Sequence, residues 1–357
     1  MKKMTARVLI KTCRDYSNVK SKLQESFETM NVESLFSSGE RVLLKVNLLA
    51  GRDPEAAVPT HPDFLAAVIE LFQDMGVQLS VGDSPANGKT LKAAAKSGIE
   101  EVCRKYGVEL VTFDNPQTLK TGSNIIKEFK VAKQVLEADS LVNLPKFKTH
   151  SLMTLTLAVK NTFGCIVGSE KQLWHLRVIT RERFVNMLIE LHRLLKPKLN
   201  ILDGVIGMHG NGPSGGEVID FGIIAVSENG FALDDAITRV YEIPPEMVPT
   251  VFFARKLGLT PEYEILGDAP KPVDFKLPAG IRPIKSPTLL SKLVSRVPSI
   301  DKDKCTECGE CESYCPVSAI SIDTHNINYS KCIRCYVCHE ICQFNAIKLK
   351  RKLILQG

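Results

Sequence analysis

Short apolar runs alternate with longer amphipathic segments through the first 268 residues of the chain. The runs ARVLIKT, RVLLKVN, VQLSVGD and VELVTFD have the length and β-branched content of buried strands. Between them, apolar residues recur at helical spacing near Ser17 to Met30, Asp63 to Met75 and Leu91 to Lys105. The alternation predicts βαβ units and therefore an α/β fold, with a mostly parallel sheet and helices on both faces.

The pattern continues in the second half of this region, with longer strands. SLVNLP, LNILDGVIG and FGIIAVS are further predicted strands, and we expect some antiparallel pairing between Ile201 and Val226. Helices are predicted near Glu182 to Leu195 and near Ala232 to Val240. A nearly all-apolar segment from Ser151 to Phe163 predicts a helix that is buried on every side.

The chain changes character after residue 268, where six prolines fall within 30 residues. Proline density and weak periodicity predict a linker over residues 269–299, with a short helix around Leu289 to Val294. The predicted organisation is an α/β domain over residues 1–268, this linker, a ferredoxin domain over residues 300–349 and a basic tail over residues 350–357.

Cysteine spacing gives the most specific chemical signal. Eight of the eleven cysteines lie in the last 53 residues, in the runs CTECGECESYCPVSAI and CIRCYVCHEICQFNAI. This is the spacing of bacterial ferredoxins with two [4Fe–4S] clusters, in which the fourth cysteine of each run binds the other cluster. The predicted ligand sets are Cys305, Cys308, Cys311 and Cys342 for one cluster, and Cys332, Cys335, Cys338 and Cys315 for the other.

Zinc is the alternative for paired cysteines, but a third cysteine in the same register is not what a tetrahedral site uses. The second run has Gln343 where the pattern has proline, which leaves the ligands intact. Cys13, Cys103 and Cys165 lie in apolar surroundings and are expected to be buried thiols. Thiolate ligands require a reducing compartment, so we expect a cytoplasmic protein. The cysteine motifs predict that the C-terminal segment is a small α+β domain of the bacterial ferredoxin type.

Charge and hydropathy exclude several classes of partner. The formal net charge is +6, but basic and acidic residues are interspersed and aromatic residues make up only 6% of the chain, so no nucleic acid is expected. The longest apolar stretches are far shorter than the roughly 20 residues of a membrane helix, so no membrane contact is expected. Two glycine-rich loops, GDSPANGKT and GNGPSGG, lack the spacing or the following helix of nucleotide-binding motifs.

Charged side chains at predicted strand ends are the candidate site. Lys146, Lys148 and His150 follow a buried strand, and Lys160 lies in the apolar segment after them. His61 and Asp83 follow two other strands, and the carboxyl ends of strands are where open α/β sheets hold ligands. A buried Lys160 would be a base or nucleophile, whereas a lysine in the last helical turn could equally extend to solvent; both alternatives stay open.

Seven segments follow one another as they do in the family catalogued as domain of unknown function 362, which the chain resembles over essentially its whole length. The segments are VLLKVNLL, PTHPDFLAAVIELF, VGDSPANG, LVNLPKFKTH, AVKNTFG, LDGVIGMHGNGP and GIIAVSENGFALD. Members of that family often carry a two-cluster ferredoxin module at the C-terminus. The resemblance implies that arrangement here and implies little about activity.

The order of residues is also similar to that in the lactate-racemase-like family, where such side chains surround a nickel-pincer nucleotide. His150, Lys160 and His175 are the corresponding candidates. The chain lacks that family's glycine-rich approach to the lysine, so the resemblance implies the position of a pocket and not the pincer cofactor. Any cofactor beyond the clusters is left unknown.

The sequence thus predicts an iron–sulfur protein that is a redox enzyme acting on a small anionic or carbonyl substrate. Its predicted catalytic residues are His150, Lys160, His175 and Asp83, and its predicted substrate-binding residues are His61, Lys146 and Lys148. A redox partner protein would exchange electrons with the clusters. The alternative is an electron carrier or maturation factor whose α/β domain binds a protein partner.

Overall fold

A computed structural model describes residues 5–85, 90–123, 126–177, 181–279, 281, 283–284 and 294–353, with the backbone alone at residues 169, 172, 175–177, 294–295 and 351–353. The strands are β1 (Ala6–Thr12), β2 (Arg41–Lys45), β3 (Gln78–Asp83), β4 (Glu109–Thr112), β5 (Pro116–Lys120), β6 (Glu128–Ala132), β7 (Ser140–Asn143), β8 (Lys146–His150), β9 (Thr154–Thr156), β10 (Leu199–His209), β11 (Glu217–Ser227), β12 (Tyr263–Gly267), β13 (Val294–Ile300), β14 (Ile320–Ser321), β15 (Asn326–Ile327) and β16 (Ile347–Leu353). The helices are α1 (Val19–Met30), α2 (Pro62–Asp74), α3 (Thr90–Lys96), α4 (Ile99–Tyr106), α5 (Lys133–Glu137), α6 (Ala158–Asn161), α7 (Gly168–Arg177), α8 (Arg181–Leu195), α9 (Gly230–Val240), α10 (Pro249–Lys256), α11 (Glu310–Ser313) and α12 (Val337–Ile341).

A ten-stranded sheet organises the larger part of the chain. Its main path is β12-β1-β11-β10-β7-β2-β3-β4, and β8 and β9 extend from β10. The pairings among β7, β2, β3 and β4 are parallel, and so are those of β10 with β7 and β8 and of β1 with β12. The long ladder of β10 with β11 is antiparallel and pairs Ile201 with Val226, as the sequence predicts. The fold is α/β with a mostly parallel sheet.

Apolar side chains cover both faces of this sheet. In β1, Leu9 joins a core cluster with α1 and α2, whereas its neighbours Val8 and Ile10 join a second cluster with α9. Alternation of this kind requires helices on both faces, because adjacent strand residues point to opposite sides. Within the described part of the chain, no helix is long and apolar enough to cross a membrane.

The predicted helix from Ser151 to Phe163 is wrong. The chain instead turns back at residues 151–153 to form the β8–β9 hairpin, pairing His150 with Thr154 and Lys148 with Thr156. Only the four residues of α6 and a 3₁₀ turn at Thr162–Cys165 are helical. Burial on all sides removes the polar stripe that would set a period, so composition alone cannot separate strand from helix here.

The segment Leu91 to Lys105 forms two helices, α3 and α4, because Gly98 between them adopts φ 74°. Glycine takes this left-handed conformation without the steric cost that other residues bear. The helix expected around Leu289 to Val294 lies outside the described residues except for Val294, which begins β13.

The C-terminal cysteine-rich segment forms a small α+β unit. β13 and β16 pair antiparallel from Val294 with Leu353 to Ile300 with Ile347, and β14 pairs with β15. The two short helices α11 and α12 each contain a cysteine of the motifs, Cys311 and Cys338. We refer to residues 294–353 as the ferredoxin module.

Candidate functional site

A cavity of about 90 Å³ lies between the carboxyl edge of the sheet and the ferredoxin module. The sheet side comes from the ends of β2 and β3, the β8–β9 hairpin and α6, and the module side comes from α12. Its lining is Lys45, Asn47, Leu49, Asp83, Ser84, Lys148, His150, Thr156, Lys160, Asn161, Phe163, Gly164, Lys171, Pro213, Val337, Glu340 and Ile341. Parallel strands bring these residues together because their carboxyl ends meet at one edge.

Lys45 and Asp83, which end the neighbouring strands β2 and β3, form a buried ion pair. Nζ of Lys45 lies 2.8 Å from Oδ1 of Asp83, and Oδ2 of Asp83 accepts the Leu48 N–H at 2.8 Å. Burial opposes ionisation of Asp83, but the ammonium groups of Lys45 and Lys171 hold its pKa below the usual value. A Cβ at Gly164 would collide with both members of the pair, so only glycine fits there.

An amide network connects this pair to Lys148. Oδ1 of Asn161 accepts from Lys45 Nζ at 3.3 Å and from Asn47 Nδ2 at 2.8 Å, while Oδ1 of Asn47 accepts from Lys148 Nζ at 2.9 Å. Lys148 also donates to the carbonyl of Val58 at 2.5 Å. Both acceptors are neutral, so burial and the nearby ammonium groups lower the pKa of Lys148 well below its ordinary value.

His150 faces the module across the cavity. Its Nδ1 accepts the backbone N–H groups of Leu152 and Met153 at 3.1 and 3.3 Å, which places the proton of the neutral ring on Nε2. Nε2 lies 3.2 Å from Oε1 of Glu340 in α12, so the imidazole and the carboxylate face each other across the cavity. Burial lowers the pKa of His150, with Glu340 opposing that shift.

Lys160 and Lys171 complete the set of cations. Nζ of Lys160 lies 5.1 Å from the ring centroid of Phe163, and no acceptor within the described part of the chain takes a hydrogen bond from it. Lys171, on α7, donates to the carbonyl of Ser84. Burial, together with Lys45 and Lys160 and against the effect of Asp83, lowers the pKa of Lys171 to about 7; burial also lowers that of Lys160.

Some of the unsatisfied polar atoms of the described residues line this cavity. In the part of the chain that the structure describes, the hydroxyls of Ser84 and Thr156 are buried without a hydrogen-bond partner, and both belong to the cavity lining. A buried polar group that forms no hydrogen bond costs roughly 1–3 kcal/mol. Their convergence with Lys160 is the arrangement expected of a site that a ligand completes.

Two of the predicted substrate-binding residues, Lys146 and His61, do not line the cavity and lie in a separate buried cluster. Lys146 donates to Asp203 at 2.8 Å and to the Tyr16 hydroxyl at 2.7 Å, and Tyr16 donates to Asp203 at 3.0 Å. The backbone N–H of His61 donates to Asp203 at 3.0 Å, and its ring stacks on Tyr16 with centroids 3.6 Å apart. These mutual bonds satisfy the Lys146–Asp203 pair, as a structural ion pair requires.

The remaining predicted residues divide into two groups. Asp83, Lys148, His150 and Lys160 all line the cavity, and their functional roles stay predictions. His175 lies on α7, but its side chain is outside the described part of the chain, so its predicted place in the pocket stays a prediction as well.

The eight cysteine sulfurs fall into two groups in space. Cys315, Cys332, Cys335 and Cys338 line one small cavity of the module. Cys311 is close to Cys305, Cys308 and Cys342, and burial together with these thiols raises its pKa to about 12. Backbone N–H groups of Ala319 and Ala346 donate to the sulfurs of Cys315 and Cys342 at 3.2 and 3.3 Å. Both groups suit a soft, thiolate-bound cluster, and they match the crossed ligand sets, which stay a prediction.

Buried polar contacts dock the module on the larger domain. Arg52 makes two hydrogen bonds to Glu310, at 3.0 and 2.5 Å, and donates to the Ile341 carbonyl at 3.0 Å. Oγ of Ser151 lies 2.6 Å from Nε2 of His339. A Cβ at Gly215 in the GNGPSGG loop would lie 2.9 Å from the Cys342 carbonyl, so this loop also packs against the module.

Sequence reasoning missed Lys45, Lys171 and Glu340. Lys45 carries the same signal as Lys146, a lysine at the end of an apolar strand, and could have been found by it. Glu340 is hidden within the second cysteine run, and only docking of the module brings it to His150. Lys171 has no local signal, because it reaches the cavity only through the packing of α7.

Comparison with known proteins identifies the family. The model of "Domain of unknown function (DUF362)" matches residues 42–239, which is more than half of the chain. The chain belongs to the DUF362 family. The "4Fe-4S binding domain" model matches residues 298–321 and 325–348. This DUF362 protein is therefore an iron–sulfur electron-transfer protein with two [4Fe–4S] clusters, as the cysteine spacing predicts.

Known relatives and solved structures add little on activity. The DUF362 protein is 38% identical over 224 residues to the thylakoid-associated protein sll1697 of Synechocystis sp., a match that covers 62% of this chain and 70% of that one. The lactate racemase apoprotein of Thermoanaerobacterium thermosaccharolyticum aligns with a TM-score of 0.39 at 12% identity, over 67% of this chain and 57% of that one. A Thermotoga maritima protein gives 0.40 at 16%, over 64% and 59%. The expected distant similarity to the racemase is present. TM-scores this low do not extend the similarity to the residues of the site.

Proposed function

We propose that this DUF362 protein is a cytoplasmic redox enzyme that binds a small anionic substrate in the cavity between the sheet and the ferredoxin module. One observation carries the proposal. The cavity is lined by cations and unsatisfied polar groups, and α12 forms its module side. Cys338 lies within α12 and Cys342 is the first residue after it, and these two cysteines belong to different predicted ligand sets. A substrate there would lie against the protein segment that holds both clusters.

The substrate would be held by hydrogen-bond donors. Among the described residues, the hydroxyls of Thr156 and Ser84 have no hydrogen-bond partner, and Lys160 adds an ammonium group beside them. Lys148, which is paired with Thr156 in the β8–β9 hairpin, adds a second positive charge. Charge-assisted hydrogen bonds from such groups to an anion are about twice as strong as neutral ones.

Proton transfer is assigned to His150 and Lys160. Nε2 of His150 lies 3.2 Å from Oε1 of Glu340 and lines the cavity, where a substrate atom would compete with Glu340 for its proton. Asp83 would act indirectly by holding Lys45 in place at 2.8 Å. His175 is retained as a catalytic candidate on the sequence argument alone.

The clusters supply single electrons, which a redox partner protein would provide or remove. A carrier or maturation factor would need an exposed docking surface and no enclosed polar cavity, so the cavity favours an enzyme over that alternative. The coupling of proton donors to an electron-transfer module is what the reduction or oxidation of a small anion requires.

Single-turnover experiments test this proposal. The anaerobic holoprotein is reduced chemically and mixed with small anions that can accept electrons, such as nitrite, sulfite, oxalate and glyoxylate. At least one anion should reoxidise the clusters, seen as recovery of their visible absorbance, at least tenfold faster than in Lys160→Met. Equal rates in both proteins for every anion would contradict the proposal. Lys133 is a half-buried lysine on α5 that pairs with Glu137 away from the cavity, and Lys133→Met is the control that should behave as wild type.

A further inference from the structure

The charges that line the cavity do not cancel. Four lysines, Lys45, Lys148, Lys160 and Lys171, face only two carboxylates, those of Asp83 and Glu340. Lys45 is already paired with Asp83. When every lysine is ionised and His150 is neutral, the described side chains of the lining carry a net charge of +2.

Burial makes this surplus costly for the protein. Lys148 is 1% exposed and Lys171 is 8% exposed, and their hydrogen bonds go to neutral oxygens. An ammonium group in such a place either loses its proton or finds an anion. The lowered pKa values of Lys148, Lys160 and Lys171 are consistent with a site that holds its charge only in the presence of a ligand.

The size of the cavity limits the ligand. A cavity of about 150 Å³ holds benzene, with six non-hydrogen atoms, so the roughly 90 Å³ here suits about four or five. Polar donors line the space from Ser84 on one side to Thr156 on the other, which favours oxygen atoms distributed around the ligand.

We infer that the substrate is a compact dianionic oxyanion of about four or five non-hydrogen atoms, bound by the cavity lysines with the hydroxyls of Ser84 and Thr156. The inference rests on the proposed function and narrows its substrate class from any small anion to a doubly charged one. Two negative charges compensate the surplus of two positive charges. A monoanion of the same shape would leave one buried ammonium without a counter-ion and would bind more weakly.

Sulfate and perchlorate test the charge requirement directly, because both are tetrahedral anions with five non-hydrogen atoms and they differ by one charge. Their dissociation constants are measured by calorimetry on the oxidised anaerobic holoprotein at pH 7 and constant ionic strength. We expect sulfate to bind at least tenfold more tightly than perchlorate. Lys148→Met should weaken sulfate binding at least tenfold and change perchlorate binding much less, whereas Lys133→Met should change neither.

The outcomes separate this inference from the proposed function. Perchlorate binding as tight as sulfate binding, or no sulfate binding at all, would overturn the dianion class even if some small anion reoxidises the clusters. Sulfate binding that Lys148→Met does not weaken would place the anion outside the cavity and would also overturn it. Preferential, Lys148-dependent sulfate binding supports the inference, and failure of every anion to reoxidise the clusters would then count against the redox proposal alone.

Discussion

Lys146 and Lys148 lie two positions apart on the same buried strand, but only Lys146 is paired with a carboxylate. Lys146 is paired with the Asp203 carboxylate at 2.8 Å, whereas Lys148 donates only to neutral oxygens and lines the cavity. Removing one partner of a buried ion pair destabilises the fold, because the other charge is left buried alone. A buried ammonium without a counter-ion is instead stabilised when an anionic ligand binds. The difference between structural and functional lysine therefore lies in their partners and not in their burial.

Methionine substitutions at the two lysines should separate stability from binding. Lys146→Met leaves Asp203 buried without its counter-ion and should reduce the free energy of unfolding by about 3–5 kcal/mol. Lys148→Met should change it by less than about 1 kcal/mol, because relief of a buried ammonium offsets two lost hydrogen bonds. Urea unfolding followed by fluorescence of Trp174, the single tryptophan, measures both. Equal losses of stability would contradict this division.

Anion binding should depend on pH through Lys171. Its neighbours in the site are Asp83 on β3, Lys45 on β2, Lys160 on α6 and Cys165, and its pKa without a ligand is about 7. Since an anion binds the ammonium form, sulfate affinity should be full below pH 7 and should fall as the pH rises through 7 to 9. Sulfate itself remains a dianion throughout, so the titration reports the protein.

Calorimetry at pH 6 to 9 on wild type and Lys171→Met measures this dependence. The variant should bind more weakly and show a shallower decrease with pH, the remainder coming from Lys148. A sulfate affinity that rises with pH would be of the wrong sign and would contradict the assignment.

The helix α6 shows how one element places the site. Asp234 on α9 accepts the backbone N–H groups of Ala158 at 2.7 Å and Val159 at 3.1 Å, at the start of the turn that carries Lys160. Asp234→Ala removes both bonds and should weaken sulfate binding about tenfold, in line with the roughly 1–2 kcal/mol that a helix cap contributes. Asp234→Asn keeps one acceptor and should retain most of the affinity.

The adjacent carboxylate provides a matched control for this prediction. Asp235 is equally buried on α9 but pairs with Arg255 and Tyr263, away from α6. Asp235→Ala should lower the urea midpoint without weakening sulfate binding. If both alanine variants weaken binding alike, the effect is general destabilisation and not placement of Lys160.

Elements differ in how far the sequence predicts them. The strands around Lys45 and Asp83 follow from apolar runs ended by polar residues, and the cluster motifs follow from cysteine spacing. The segment from Ser151 to Phe163 does not, because it is buried on all sides and its hairpin depends on pairing with β10 through β8. The hydrophobic pattern of a segment indicates which of its residues are buried. Whether such a segment forms a strand or a helix depends on its pairing with residues distant in sequence.

The site depends even more on long-range packing. Asp83, Lys148, His150 and Lys160 could be selected as polar residues at strand ends, but the same rule also selects Lys146 and His61, which form a separate network. Partners such as Asp203 are distant in sequence, so the satisfied cluster and the unsatisfied cavity look alike before the chain is folded. Glu340 enters the site only because the module docks there.

At the scale of the whole molecule, Arg52 joins the two units. Its side chain is 4% exposed and makes two hydrogen bonds to Glu310, next to Cys311, and one to Ile341, next to Cys342. Arg52→Ala should destabilise docking of the module by about 1.5–3 kcal/mol, the range for hydrogen bonds to charged groups, because Arg52 is buried and Glu310 is 30% exposed. Urea should then bleach the cluster absorbance before Trp174 reports unfolding of the larger domain.

Arg41→Ala is the control, because Arg41 makes a similar two-point contact with Asp139 at the protein surface. Exposed pairs contribute little to stability, so cluster loss and unfolding should coincide in this variant as in wild type. Separate transitions in the Arg41 variant, or coincident ones in the Arg52 variant, would show that docking does not depend on the buried pair.

If the cavity is the substrate site, an anion bound there should be electrically coupled across α12 to the clusters of the module. The midpoint potentials of both clusters, titrated anaerobically with and without saturating sulfate at constant ionic strength, test it most directly. Two added negative charges in a low-dielectric site should lower at least one potential by tens of millivolts, and Lys160→Met should abolish the shift. Potentials that stay unchanged while sulfate is bound would contradict the account.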